Sequence, residues 1–101
     1  MRIIAKGTLR DFWLLNTPSE FPLLDWYNTV KQCNWNTPND VKQTYGNASI
    51  VANDRVVFNI KGNDYRLVIE IDYEYQLVFI IWVGTHRNYD KIDVTKIEYD
   101  G

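Results

Sequence analysis

The residues able to do chemistry crowd into one stretch, 55–93, which reads RVVFNIKGNDYRLVIEIDYEYQLVFIIWVGTHRNYDKID. It carries Lys61, Arg66, His86, Arg87, Tyr89, Asp90 and Lys91, and His86 is the only histidine of the chain. Fixed cations, an imidazole, a phenol and a carboxylate make up the set that metal-free cleavage of RNA asks for. A base must take the proton of the 2′-hydroxyl, cations must stabilise the pentavalent phosphate, and an acid must protonate the leaving 5′-oxygen. Imidazole suits either proton role because it titrates near neutrality. A guanidinium such as Arg66 can hold a phosphate bidentately, and an ammonium such as Lys61 adds a point charge. A phenol such as Tyr89 can stack on a base or donate its proton.

Each of these residues also has an ordinary reading. A lone histidine beside an aspartate is more often a structural hydrogen-bonding residue than a catalyst. Arg66 could pair with Glu70 or Asp72 along its strand, and a lysine at a hairpin tip is usually just solvated. Tyr73 and Tyr75 could form a recognition surface, although turn tyrosines commonly serve packing. The chain has no glycine-rich phosphate loop, no His/Cys cluster at metal-ligand spacing and no nucleophile elbow, so no cofactor and no metal is expected.

The elements that must position this set are legible as patterns. Val56, Phe58 and Ile60 alternate with Arg55, Val57, Asn59 and Lys61, which predicts a half-buried strand. Lys61-Gly62-Asn63-Asp64 reads as a hairpin turn. Leu67, Ile69 and Ile71 then alternate with Arg66, Val68, Glu70 and Asp72. After a second turn at 73–76, residues 77–83 are apolar on both faces, predicting the central strand, with Gly84 ending it. Alternation sets Lys61 and Arg66 on an open face, opposite the apolar residues that helices should cover. If 84–91 coils even one turn, His86 meets Tyr89 and Asp90 at i+3 and i+4.

Upstream, Ile3 and Ile4 mark a short strand at 2–5 that Gly7 breaks. Thr8-Leu9-Arg10-Asp11 has the capping-box pattern and opens a first helix to about Leu15. Asn16-Thr17-Pro18 ends it. A turn at 18–21 leads to a second helix at 22–33, whose stripe is Leu23, Trp26, Tyr27, Val30 and Cys33. The second Asn-Thr-Pro, at 36–38, gives a third helix: Thr37 caps, Pro38 opens, Asp40 closes the box, and Gly46 is the left-handed C-terminal cap. Residues 47–54 read as connector.

With 101 residues there is room for one domain spanning 1–101. At 46% hydrophobic and 24% charged the composition is that of a folded chain, and four Trp, seven Tyr and four Phe supply a core despite the small size. Cys33 alone cannot form an internal disulfide, and on its apolar stripe it is expected to be buried and unreactive. No apolar run approaches bilayer length, and MRIIAKGTLRDFW lacks the apolar core of a secretory leader. The expectation is a cytoplasmic protein with no membrane partner. The net charge is −2 and the pI about 5.2. A protein gripping free nucleic acid through many phosphates is usually basic, so a polyanion must be met by a local patch or presented by something larger.

RVVFNIKGNDYRLV and GTHRNYDKID, together with the opening MRIIAKGTLRDFW, the helix LLDWYNTVKQCNW and the connector DVKQTYGNASIV, carry a resemblance over nearly the whole chain. The chain resembles HigB-type toxins of type II toxin–antitoxin systems, in the RelE/ParE-like superfamily. The resemblance implies an α+β fold, a small RelE-like β-α-α-β-β-β arrangement with two N-terminal helices on one face of an antiparallel sheet. It implies a metal-independent endoribonuclease, an mRNA interferase acting on message in the ribosomal A site. It also implies a HigA-like helix-turn-helix antitoxin bound in a toxin–antitoxin hetero-oligomer.

Carried onto these positions, the resemblance makes Arg66 the phosphate stabiliser and His86 the base or acid. Tyr89 becomes the stacking or proton-donating group and Lys61 a second phosphate contact. Asp90 orients His86 or fixes the turn, and Arg87 and Lys91 become contacts to messenger or ribosomal RNA, each adding salt-dependent affinity. Two other classes stay open. A ParE-like member of the superfamily poisons gyrase through protein contacts and cleaves no RNA. A non-enzymatic binding module would use the polar face only for docking.

Overall fold

The computed structural model describes residues 1–52 and 54–98. The elements run β1 (Arg2–Ile4), α1 (Lys6–Leu15), a single 3-10 turn (Thr17–Ser19), α2 (Glu20–Lys31), α3 (Pro38–Thr44), β2 (Ser49–Val51), β3 (Arg55–Ile60), β4 (Tyr65–Asp72), β5 (Leu77–Thr85) and α4 (His86–Tyr89). The strands form one sheet in the order β1-β5-β4-β3-β2. The α+β class and the RelE-like arrangement of elements are as the sequence implied. The sheet, however, is mixed rather than antiparallel: β1 pairs with β5 in parallel, Ile3 opposite Val78, while the other pairs are antiparallel.

The larger core lies on one face of the sheet. Leu9 and Trp13 of α1, Leu23, Trp26 and Val30 of α2 and Val41 of α3 join Val56, Phe58, Leu67, Ile69, Val78 and Ile80 of the strands in one buried cluster. Phe58 is its aromatic hub: Trp26 meets it edge-on at 5.4 Å, Tyr45 edge-on at 5.2 Å, and Trp35 stacks at 6.3 Å. Such contacts add to the area term that dominates a core of this size. The stripe expected on α2 is the one that packs, with Tyr27 and Cys33 half-buried at its margin; the Cys33 thiol donates to the Thr29 carbonyl at 3.2 Å.

Local signals succeeded where the chemistry closes on itself. Thr37 and Asp40 form the reciprocal capping box at α3, with Pro38 in its first turn. They failed where tertiary structure supplies the partners. α1 starts two residues before Thr8, from a left-handed Ala5 with φ 76°, and no side chain caps it, so Gly7 sits inside the helix instead of before it. α2 begins at Glu20 and takes Pro22 into its first turn, where the missing N–H has no intrahelical partner to lose. Gly46 is not a left-handed cap: α3 ends on an extended Tyr45, and Lys42 Nζ donates to the carbonyls of Gly46 and Ala48 at 2.8 and 2.7 Å.

The presumed connector 47–54 contains the edge strand β2, paired with β3 through Ile50 and Val56; Asn53 lies outside the described residues. The middle strand is β4 and not 77–83, because β1 and β2 occupy the two edges. β3 is buried on both faces rather than one. A second, smaller cluster covers the other side of the sheet: Val57, Val68 and Ile81, packed against Phe79, Trp82, Tyr89, Val94 and Ile97. The face expected to be open is therefore partly roofed by the segment after α4. Arg55, only 8% exposed, fastens that roof by donating to the Val94 carbonyl at 2.8 Å while its Nε meets Glu70 at 3.2 Å. A tight turn follows, in which the Thr95 N–H and hydroxyl both donate to Asp93, holding that carboxyl below its usual range.

Candidate active site

Arg66 stands on β4 in the row Asn59–Arg66–Gly84, at the end of the sheet beyond the second cluster. Its guanidinium donates to the Asn63 and Tyr65 carbonyls, both at 3.2 Å, and lies 6.0 Å from the centre of the Tyr89 ring. It pairs with neither Glu70 nor Asp72. Glu70 belongs to Arg55, and Asp72 accepts from the Tyr75 N–H at 3.0 Å. Arg66 thus has no carboxylate partner among the described residues, and its charge is available to an anion.

His86 opens α4 directly after β5. The strand-end pair Tyr65–Thr85 and the bond from the His86 N–H to the Asp64 carbonyl at 3.0 Å set it beside the β3–β4 hairpin. The Thr85 hydroxyl accepts from the Asn88 N–H and fixes the turn. The single coil brings the i+4 pair together as expected: His86 Nδ1 lies 3.8 Å from Asp90 Oδ1, an ion-pair distance too long for a direct hydrogen bond. Tyr89 points inward, half-buried, its ring tilted against Trp82 at 6.2 Å.

Lys61 sits at the hairpin tip in a left-handed conformation, φ 52°, followed by Gly62 at φ 63°. The terminal ladder pair is Ile60–Tyr65, so residues 61–64 form a four-residue hairpin loop whose first two positions take positive φ. The Lys61 ammonium pairs with Asp64 at 3.2 Å, both side chains about half-exposed, so Asp64 touches Lys61 with its carboxylate and His86 with its carbonyl. Arg87 and Lys91 are exposed, and neither makes an ion pair among the described residues.

The structure adds Trp82, which the sequence reading left among the core apolars. An irregularity between Val68 and Ile69 pairs Val68 with Trp82 but Ile69 with Ile80, leaving Ile81 as the extra residue. Ile81 and Trp82 consequently both join the second cluster, whereas strict alternation would have sent Trp82 to the helical side. The Trp82 ring then lies across Gly84, which is part of β5 and does not end it. Asn59, half-buried beside Arg66, is a second polar neighbour that went unremarked. Its signal was available, since it shares the parity of Arg55 and Val57.

Arg66, Tyr89 and Trp82 therefore make a cationic and aromatic rim, with His86 on the turn that carries Tyr89 and Lys61 on the adjoining hairpin; Arg87 and Lys91 follow His86 in the same segment. A wider depression of about 510 Å³ lies elsewhere, lined by Asp54, Glu70, Asp72, Tyr73 and Phe79. Its carboxylates are the wrong sign for a phosphate, and none of the rim residues lines it. Among the described residues no group of His, Cys, Asp and Glu is arranged to hold a metal, and no helix is long and apolar enough to cross a membrane.

No curated protein matches the chain significantly. Residues 19–92, from the start of α2 through the rim, match the profile of a family described as HigB toxin, the RelE-like toxic component of a toxin-antitoxin system. With most of its length inside that match, including β2 to β5 and α4, the chain belongs to the HigB family of RelE-like toxins.

Proposed function

We propose that the chain is an mRNA interferase, a metal-independent endoribonuclease that cleaves message on the ribosome. The observation that supports this most is the state of Arg66: a half-buried residue at the sheet end, with no carboxylate partner among the described residues and next to the ring of Tyr89, on the turn that His86 opens. A partly desolvated cation of this kind stabilises charge developing on a phosphate more than a fully solvated one would. In this reading Arg66 takes a non-bridging phosphate oxygen and Lys61 a second one after leaving Asp64. His86 exchanges a proton with the 2′-hydroxyl or the leaving 5′-oxygen, and Asp90 orients it. Tyr89, backed by Trp82, stacks on a base or supplies the other proton. Arg87 and Lys91 contact RNA phosphates.

The net charge of −2 supports dependence on the ribosome, which would hold the substrate for a protein too acidic to bind naked RNA tightly. A family of toxic components implies an antitoxin partner, and a HigA-like helix-turn-helix protein in a hetero-oligomer is the form we assign to it. The setting is the cytoplasm, where ribosomes are.

The deciding experiment is induced expression in a bacterial host without antitoxin, with message 5′ ends mapped before and after. New ends inside translated frames, lost in His86→Ala, are the expected result. Arrest with intact message would replace this reading with gyrase poisoning through protein contacts, and no arrest would leave a binding module.

A further inference from the structure

Two patches of opposite charge, each with exposed apolar side chains, lie outside the core and the rim. The first is on the helical side, where Leu14 is 65% exposed, Leu15 87% and Phe21 79%, flanking the 3-10 turn between α1 and α2. Along α1, intervals of four bring Lys6, Arg10 and Leu14 onto one face, with Asp11 one position round on the line of Leu15. A groove of about 260 Å³ follows that face. Arg10 is exposed and makes no ion pair or hydrogen bond among the described residues, and Lys6 has no carboxylate partner either. The second patch is the 510 Å³ depression, at the end of β4 away from Arg66, where Asp54, Glu70 and Asp72 stand with Tyr73 and Phe79. Tyr75, 70% exposed, belongs to the turn beside it and donates its N–H to Asp72. Arg55 answers Glu70, but no cation among the described residues pairs with Asp54 or Asp72.

We propose that these patches bind each other between copies of this chain, the α1 face of one molecule seating on the depression of the next. Charge complementarity selects this occupant. Lys6 and Arg10 meet Asp54 and Asp72, while the corner at Leu14 covers the exposed rings of the second patch. The pairing cannot be made within one molecule. Leu9 and Trp13 fix α1 to the larger core on one face of the sheet, whereas Phe79 packs with the second cluster on the other. Two like α1 faces would oppose cation to cation, so the contact is head-to-tail and not two-fold. Such a contact leaves one free patch of each kind at the ends, so copies keep adding as concentration rises. With a net charge of −2 per copy the general repulsion is weak, and the local patches set the orientation. An RNA backbone would use the cations of the first patch but not its apolar corner, and the second patch would repel it. The proposal is independent of the nuclease reading.

The test is sedimentation velocity on the chain purified alone, from micromolar to millimolar concentration. It compares wild type with Arg10→Glu, Leu14→Asp, Asp72→Lys, Tyr75→Ser and the double variant Arg10→Glu with Asp72→Lys, and circular dichroism checks each fold. The wild type is expected to grow past a dimer with concentration and to fall back toward monomer as salt is raised to about 0.5 M, where charges are screened. Each single substitution should move the midpoint of association upward by about ten-fold or more. The double variant exchanges the two charges and should recover the association that each alone loses. Tyr75→Ser tests the second patch without touching a carboxylate, should Asp72→Lys disturb its turn. A wild type that is monomeric at every concentration overturns the proposal and leaves the α1 face to another kind of partner. Growth that stops at a dimer overturns it in favour of a two-fold contact. So does association that survives substitution of either patch, or a folded double variant as weak as the single ones.

Discussion

The indole of Trp82 lies over Gly84, two residues along the same strand, so close that a Cβ at residue 84 would collide with the far end of the ring. Gly84 faces Arg66 across the ladder, and Trp82 supports Tyr89. One missing side chain therefore lets an aromatic shelf form next to the guanidinium. Gly84→Ala should push the indole aside, with Tyr89 following. The expected outcome is a message-cleavage rate down by about ten-fold or more, at a stability cost of about 1 kcal/mol, the scale of a mild overpacking. Indole and tyrosine ring resonances, compared with wild type, would report the displacement. An unmoved Trp82 with full activity would show that the shelf is not needed.

Arg66 is held by two backbone carbonyls and not by an acid, an arrangement that costs stability little when removed. Arg66→Ala should keep the thermal midpoint within a few degrees and lower cleavage by about 100-fold or more, the scale of losing a stabiliser of developing charge. Arg66→Lys keeps the charge but not the planar fork, so it should recover only part of the activity. Equal rates for the lysine and wild-type proteins would mean that Arg66 acts as a simple point charge.

How much of this was legible depended on how local each cause is. The Thr37–Asp40 box could be read because both partners lie within one turn. The hairpin at 61–64 could be read because Gly62, Asn63 and Asp64 are turn formers set between two alternating runs, although nothing in the sequence shows that Lys61 itself takes a positive φ. His86 and Asp90 meet because helical spacing alone brings them together. The face of Trp82 could not be assigned, because one extra residue, Ile81, resets the parity of β5 and nothing local announces it. The roof of Val94 and Ile97 was missed because its anchor is Arg55, far back in the chain. Charges that find partners across the sheet, such as Arg55 with Glu70, cannot be assigned from one strand at a time.

That anchor makes its own prediction. Arg55 is almost fully buried and serves both Glu70 and the Val94 carbonyl, whereas the Glu70 side chain is 40% exposed. Arg55→Ala should cost about 1–2 kcal/mol, since the exposed carboxylate recovers much of its solvation while the carbonyl loses a charged donor. For a domain of this size that is a fall in midpoint of about 5–10 °C. Glu70→Gln should cost less, because Arg55 keeps its carbonyl. Amide exchange around Val94 and Ile97 should quicken in Arg55→Ala; unchanged exchange there would show that the apolar contacts alone hold the roof.

Tyr45 links the end of α3 to Phe58, and burial is the first cause raising its pKa above the ordinary tyrosine value; a smaller lowering from the Thr29 hydrogen bond does not cancel it. The sign follows from which state binds the proton more tightly. In the unfolded chain Tyr45 ionises near its ordinary value of about 10, while the folded protein keeps it neutral to higher pH. Its contribution is complete below about pH 10 and is lost as pH rises from there through the raised folded value, because the unfolded state releases a proton that the folded state retains. Tyr45→Phe has no phenol to ionise. In denaturant titrations at increasing pH the wild-type protein should lose stability more steeply than Tyr45→Phe above about pH 10, with parallel behaviour below it. Tyr73, also raised by burial and by the nearby Asp54 and Asp40, adds a component that the substitution leaves in place. Identical alkaline slopes for the two proteins would mean that the phenol of Tyr45 is as free to ionise in the folded chain as in the unfolded one.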